Sequence, residues 1–179
     1  MRPTLPFAAI AFLLCFAALG PAQQAPATRV AAIDVHRADG GGFVNGGATY
    51  HYSVSDIPAA KLAADAATRD VLFGTRMSFR FAGLRSSAHY ELRVTLLSDS
   101  DARRVRCESN GELLDASLQL PDAEPCERRY PLRGNAAGDA QLVLQSVAGP
   151  NVPVAALEVW SDDPTPLQPP PPLRETLQK

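Results

Sequence analysis

The sequence predicts an all-β fold, an antiparallel two-sheet sandwich of jelly-roll type carrying one short helix. Three observations carry the prediction. Segments of five to nine residues alternate apolar and polar side chains. Turn signals recur every 8–12 residues along the chain. The gaps between segments are too short for the helices that a parallel sheet requires. Composition agrees: of 179 residues, 46% are hydrophobic and 20% charged, and Pro, at 16, outnumbers Gly, at 12. That is globular usage, leaning away from a helical bundle.

Residues 1–22 read as a secretory signal peptide. Arg2 precedes the apolar run Phe7 to Leu19, and Gly20 and Ala22 have the spacing of a cleavage site. The run is shorter than the roughly 20 residues a membrane-spanning helix needs. Cys15 follows the bulky Leu14, where a lipid-attachment signal prefers a small residue. Removing the leader leaves about 155 residues, enough for one compact core. Net charge moves from −2 to −3 with the loss of Arg2. A mildly acidic chain without a basic block is not built for nucleic acid. The predicted destination is the periplasm or the cell exterior, with no membrane span after cleavage.

Residues 23–28 read as a disordered start and 29–162 as the sandwich. Ala31, Ile33 and Val35 face one side of a first strand, with Asp34 and His36 on the other. Two glycine clusters, Gly40–Gly42 and Gly46–Gly47, mark a loop. Tyr50, Tyr52 and Val54 share a face of the next strand. Residues 57–67 are the predicted helix, with Ser55 or Asp56 as cap and Pro58 in its first turn.

Strand patterns then follow closely. Met77, Phe79 and Phe81 alternate with Ser78 and Arg80. Tyr90, Leu92, Val94 and Leu96 alternate with Glu91, Arg93 and Thr95. Val105 and Cys107 lead into Asn110-Gly111, a strong hairpin signal, and Leu114 to Leu120 form its return arm. Short segments over 127–132 and 141–145 and a last strand over 152–160 bring the total to eight or nine. Residues 163–179 include four consecutive prolines and read as an extended spacer or tail.

With the leader gone, two cysteines remain, Cys107 and Cys126. An even count in an oxidising compartment predicts a disulfide closing a loop of about 20 residues, worth about 3 kcal/mol. Two separate thiols are the alternative. No spacing marks a metal site, and no cofactor is predicted. Asp99–Asp101 and Asp162–Asp163 offer oxygen atoms for calcium but match no defined loop.

The order of motifs resembles the malectin-like and broader galactose-binding-like domains over about residues 30–161. The resemblance runs through Asp70–Arg76, Phe79-Arg-Phe81, the strand Ala88–Leu97, the Asn110-Gly111 hairpin and the closing strand Val154–Trp160. It implies a carbohydrate-binding sandwich, of the kind carried as an accessory module by secreted carbohydrate-active enzymes. The loop aromatics that hold sugar in malectins have no counterpart at identifiable positions.

Sugar recognition needs an aromatic face for the pyranose ring and polar groups for its hydroxyls. The candidate ligand-binding residues are Asp34, His36, Arg37, Phe43, Tyr50, Tyr52 and Trp160. Phe43 stands in the glycine loop as the most exposed-looking aromatic. Period two puts Trp160 on the face of Glu158, opposite Leu157 and Val159. No nucleophile motif is present, and no catalytic residue is assigned. Function therefore reads as non-catalytic carbohydrate recognition. The alternatives are an extracytoplasmic protein-interaction or scaffold domain that has lost sugar binding, and a glycoside hydrolase using one of the aspartate pairs.

Overall fold

In a computed structural model, residues 27–46, 50–53, 70–99 and 102–170 are described. They form eleven strands, more than the eight or nine expected, in the two facing antiparallel sheets that the sequence predicts. The expected signal peptide and the expected helix over 57–67 lie outside the described residues. Among those described, the helical element is a single 3-10 turn at Gly40–Gly42.

One sheet contains β1 (Thr28–Ala32), β3 (Tyr50–Ser53), β4 (Asp70–Gly74), β6 (Tyr90–Leu97), β9 (Pro125–Leu132) and β11 (Val152–Ser161). Its order is β3-β4-β11-β6-β9, and β1 pairs with the second half of β11, on from β4. The other sheet runs β2 (Val44–Gly46), β5 (Arg76–Phe81), β10 (Ala140–Ala148), β7 (Arg104–Ser109), β8 (Glu112–Gln119). From β4 onward every connection crosses between sheets except the β7–β8 hairpin. Such winding lets alternate side chains of both layers meet in one core.

That core follows the period-two pattern. Leu92, Val94 and Leu96 of β6 and Leu142 and Leu144 of β10 are buried, as are Met77, Phe79 and Phe81 of β5. Their neighbours Glu91, Arg93 and Thr95 point outward and are partly exposed. β4 escapes the pattern: Val71 and Leu72 are adjacent and both fully buried. Leu72 joins the main core, while Val71 packs with Leu97, Ala123, Phe73 and Ala155 on the other side of the sheet. A strand covered on both faces shows no alternation. Hence Asp70–Gly74 reads in the sequence only as a motif before a strand.

Asn110 and Gly111 make the β7–β8 turn with φ of 49° and 82°. Two successive positive φ values are what a two-residue hairpin of primed type requires. A Cβ on Gly111 would meet nothing within 4 Å, so Gly111→Ala tests backbone strain alone. We expect a loss of about 1–2 kcal/mol in denaturant unfolding, and a smaller loss for Gly111→Asn.

Arg103, just before β7, is a buried charged residue. It donates to Asp99 at 2.6 and 3.0 Å and to the Asn151 carbonyl at 3.3 Å, and it covers the Phe73 ring at 5.4 Å. Arg104 and Arg106 are exposed.

The predicted disulfide is not present. Cys107 and Cys126 are free, buried thiols. Cys107 lies on β7 and Cys126 on β9, strands of opposite sheets. Burial and the nearby Asp115 carboxylate push the Cys107 thiol up to about 12. Burial raises Cys126 as well. Tyr130, which donates to Asp115, is raised by burial and by that bond. Thiols held protonated are poor nucleophiles. Alkylation at pH 8 without reductant should therefore spare both cysteines in the native protein and label both after unfolding. Peptide mapping that finds them unlabelled after unfolding would restore the disulfide.

The packed chain also runs past the expected boundary at 162. Residues 164–170 fold back instead of leaving as a free spacer. Leu167 is 5% exposed and belongs to the main core. Its N–H donates to the Val30 carbonyl at 2.9 Å, and Gln168 forms an antiparallel bridge with Ala82. Pro169 lies against Gly42 so closely that a Cβ there would stand 3.2 Å from the proline ring. The segment thus ties β1 of one sheet to the end of β5 in the other.

Candidate functional site

Among the described side chains, Phe43 is buried and Trp160 lies on a different strand from the loop that carries Asp34, His36 and Arg37. Asp34, His36 and Arg37 follow β1 and are occupied in shaping their own loop. The Asp34 carboxylate accepts the His36 N–H at 3.0 Å, and the His36 ring lies 3.6 Å from Asp70. Arg37 grips Asp39 with two bonds of 2.9 and 2.7 Å, and Asp39 also accepts the Gly41 N–H. Phe43 is a correction: it is 7% exposed and packs on Phe81 with ring centroids 5.3 Å apart. The three preceding glycines all have positive φ, and their turn carries the ring into the core. Tyr50 and Tyr52 lie on β3, paired with Phe73 and Val71 of β4. The directions of their side chains lie outside what is described.

Trp160 is on the outer face of the first sheet, as the alternation predicts. It stands near the C-terminal end of β11, whereas the Asp34–Phe43 loop leaves β1 beside Leu157. Register sets its neighbours: Arg29 of β1 on one side and Glu91 of β6 on the other. Two residues back, Glu158 faces Arg93.

These side chains form one continuous network. Glu158 accepts from Arg29 at 2.7 Å with one oxygen and from the indole N–H of Trp160 at 2.9 Å with the other. The Arg93 guanidinium lies 4.2 Å from the centroid of the Trp160 ring and donates to Glu91 at 2.6 Å. A cation held over an indole contributes about 0.5–2 kcal/mol, more as water is excluded. The indole is thus fixed at its edge by a carboxylate and on one face by a guanidinium. Its partly exposed remainder borders a groove of about 800 Å³.

Arg129 and Pro131 of β9 form one wall of that groove, and His89 and Asp162 close its end. Arg129 donates to Glu127 at 2.7 Å. Asp162 accepts from both the His89 backbone and its ring, at 2.9 and 3.0 Å. Those two bonds hold the Asp162 carboxyl below its ordinary value. Asp163 is held low by the Thr165 hydroxyl and N–H and then by Arg85. Both remain ionised at neutral pH, which is opposite to the raised carboxyl a glycosidase acid needs. Of the other aspartate pair, Asp99 holds Arg103, and Asp101 lies outside the described residues. Among the described residues no group of three or more His, Cys, Asp or Glu is arranged for a metal ion. No helix among them is long and apolar enough to cross a membrane.

The lowered carboxyls give an acid-stability prediction. Asp39, depressed mainly by its bonds from Arg37, acts with Asp162 and Asp163. Their stabilisation is complete above the ordinary value of 3.8 and is lost as pH falls through the lower folded-state values. The melting temperature should decline below about pH 4, and Asp163→Asn should flatten part of that decline. A slope unchanged by the substitution would remove Asp163 from the account.

Arg93, Glu91, Glu158 and Arg129 are not among the residues the sequence singles out. The signal was available in part, since period two places Glu91 and Arg93 on one outward face and Glu158 beside Trp160. What it lacks is the pairing of β6, β9 and β1 around β11, which joins segments up to 129 residues apart.

No family model matches the chain, and no curated protein does. Similar solved structures include the β-glucuronidase 2 of Bacteroides uniformis, with TM-score 0.49 and 13% identity over 65% of this chain and 13% of that one. The plant receptor-like kinase ANX2 gives 0.49 and 13% over 66% and 39%. The CBM36-1 domain of a multidomain xylanase from the hindgut metagenome of Trinervitermes trinervoides gives 0.45 and 12% over 75% and 96%. The chain thus spans well under half of the first two. No residue role is carried over from any of them.

Proposed function

We propose that this protein is a non-catalytic carbohydrate-binding module that works in the periplasm or outside the cell, and that its ligand lies in the Trp160 groove. The observation that carries the reading is the fixed, partly exposed indole on an outward sheet face, among charged side chains that are bonded to one another. An aromatic surface takes the apolar side of a pyranose ring, and guanidinium and carboxylate groups bond its hydroxyls. The groove volume falls within the range of small-ligand sites, about 300–1,000 Å³. An accessory role beside a carbohydrate-active enzyme follows from the same reading.

The test is a glycan array probed with the purified protein, calcium present. Binding to a defined set of glycans, lost in Trp160→Ala, supports the proposal. No binding to any glycan overturns it and leaves the protein-interaction reading in its place.

A further inference from the structure

We infer that the Trp160 groove selects uncharged polysaccharides and rejects uronate-rich or sulfated ones. The inference rests on the carbohydrate-binding reading and adds the ligand's charge class. Its basis is how the charges around the groove are already committed. Arg29 is bonded to Glu158, Arg93 to Glu91 and Arg129 to Glu127. The fourth carboxylate, Asp162, is bonded to the His89 ring. Two guanidiniums, Arg93 and Arg129, and two carboxylates, Glu91 and Asp162, line the groove itself, with Arg29, Glu158 and Glu127 bordering it, and each guanidinium already holds a carboxylate.

An anionic ligand needs a cation to receive it. Here any guanidinium it reaches is already neutralised by a carboxylate, and that group would stay beside the ligand as a like charge. Nor does the groove carry the excess positive charge that draws polyanions in solution. A hydroxyl has no such conflict. The carboxylates keep acceptor sites and the guanidiniums keep N–H groups beyond those used in the pairs. A vicinal diol can donate to one and accept from the other with every pair intact. The Arg93 guanidinium over the indole points the same way: it fixes the ring while Glu91 neutralises it.

Affinity electrophoresis of the full chain tests this with two sets of probes. The uncharged set is xylan, mixed-linkage glucan, galactan and mannan; the charged set is polygalacturonate and heparin. We expect retardation by at least one uncharged polymer, changed less than twofold between 0.05 and 0.5 M NaCl, roughly the range over which polyelectrolyte contacts are lost. The charged polymers should bind at least tenfold more weakly. Glu91→Gln frees the Arg93 guanidinium, so it should gain severalfold affinity for polygalacturonate that salt removes. Salt-sensitive binding of polygalacturonate or heparin by the unaltered protein overturns the charge selectivity and leaves carbohydrate binding standing. The absence of any gain in Glu91→Gln overturns it too. No retardation by any polymer overturns both this inference and the reading beneath it.

Discussion

Leu167→Asp lowers the melting temperature of the domain by about 10 °C or more, and removal of residues 164–179 does the same. The side chain is 5% exposed and sits in the main core between the layers. Truncating a buried leucine to alanine costs about 2–5 kcal/mol, and an aspartate adds the cost of a buried charge without a partner. Truncation also strands the Val30 carbonyl and the Ala82 N–H and carbonyl, which bond residues 167 and 168. Gln168→Ala is the control. Gln168 is exposed and its bonds here are through the backbone, so stability should be nearly unchanged. Thermal unfolding by circular dichroism reads all three. An unchanged melting temperature for Leu167→Asp would return the segment to the status of a spacer.

The second large effect is on binding. Trp160→Ala should weaken whichever glycan the array identifies by about 30-fold or more, the scale of a hot-spot aromatic at about 2 kcal/mol. The fold should survive, because the indole stands on the outer face and fills no core space. Phe43→Ala should do the opposite. Its ring is buried against Phe81, so its loss costs about 3–5 kcal/mol of stability while the folded protein keeps its affinity. Calorimetric titration together with thermal unfolding separates the two variants. Equal losses of affinity in both would move the site to the Asp34–Phe43 loop, where the sequence first places it.

That reversal of Phe43 and Trp160 shows where local reading stops. Trp160 is legible because a strand's side-chain direction alternates residue by residue, so its orientation is fixed by Val159 and Leu157, one and three positions away. Phe43 follows glycines whose positive φ values leave the alternation undefined, and no neighbour in the sequence says which way the ring turns. Leu167 is hidden for a related reason. A leucine among prolines has no period, and its burial depends on Val30 and Ala82, more than 80 residues away in the chain.

The all-β sandwich, most strand positions, the Asn110-Gly111 hairpin and the outward face of Trp160 are all readable from local sequence. Each of these depends on side-chain alternation or on backbone preferences within a few residues. Which layer each cysteine joins, the return of Leu167 into the core, and the placing of Arg29, Glu91, Arg93 and Arg129 near Trp160 are settled only by tertiary contacts. Those outcomes depend on which strands lie side by side, and strand pairing is a long-range choice made by the burial of the whole core.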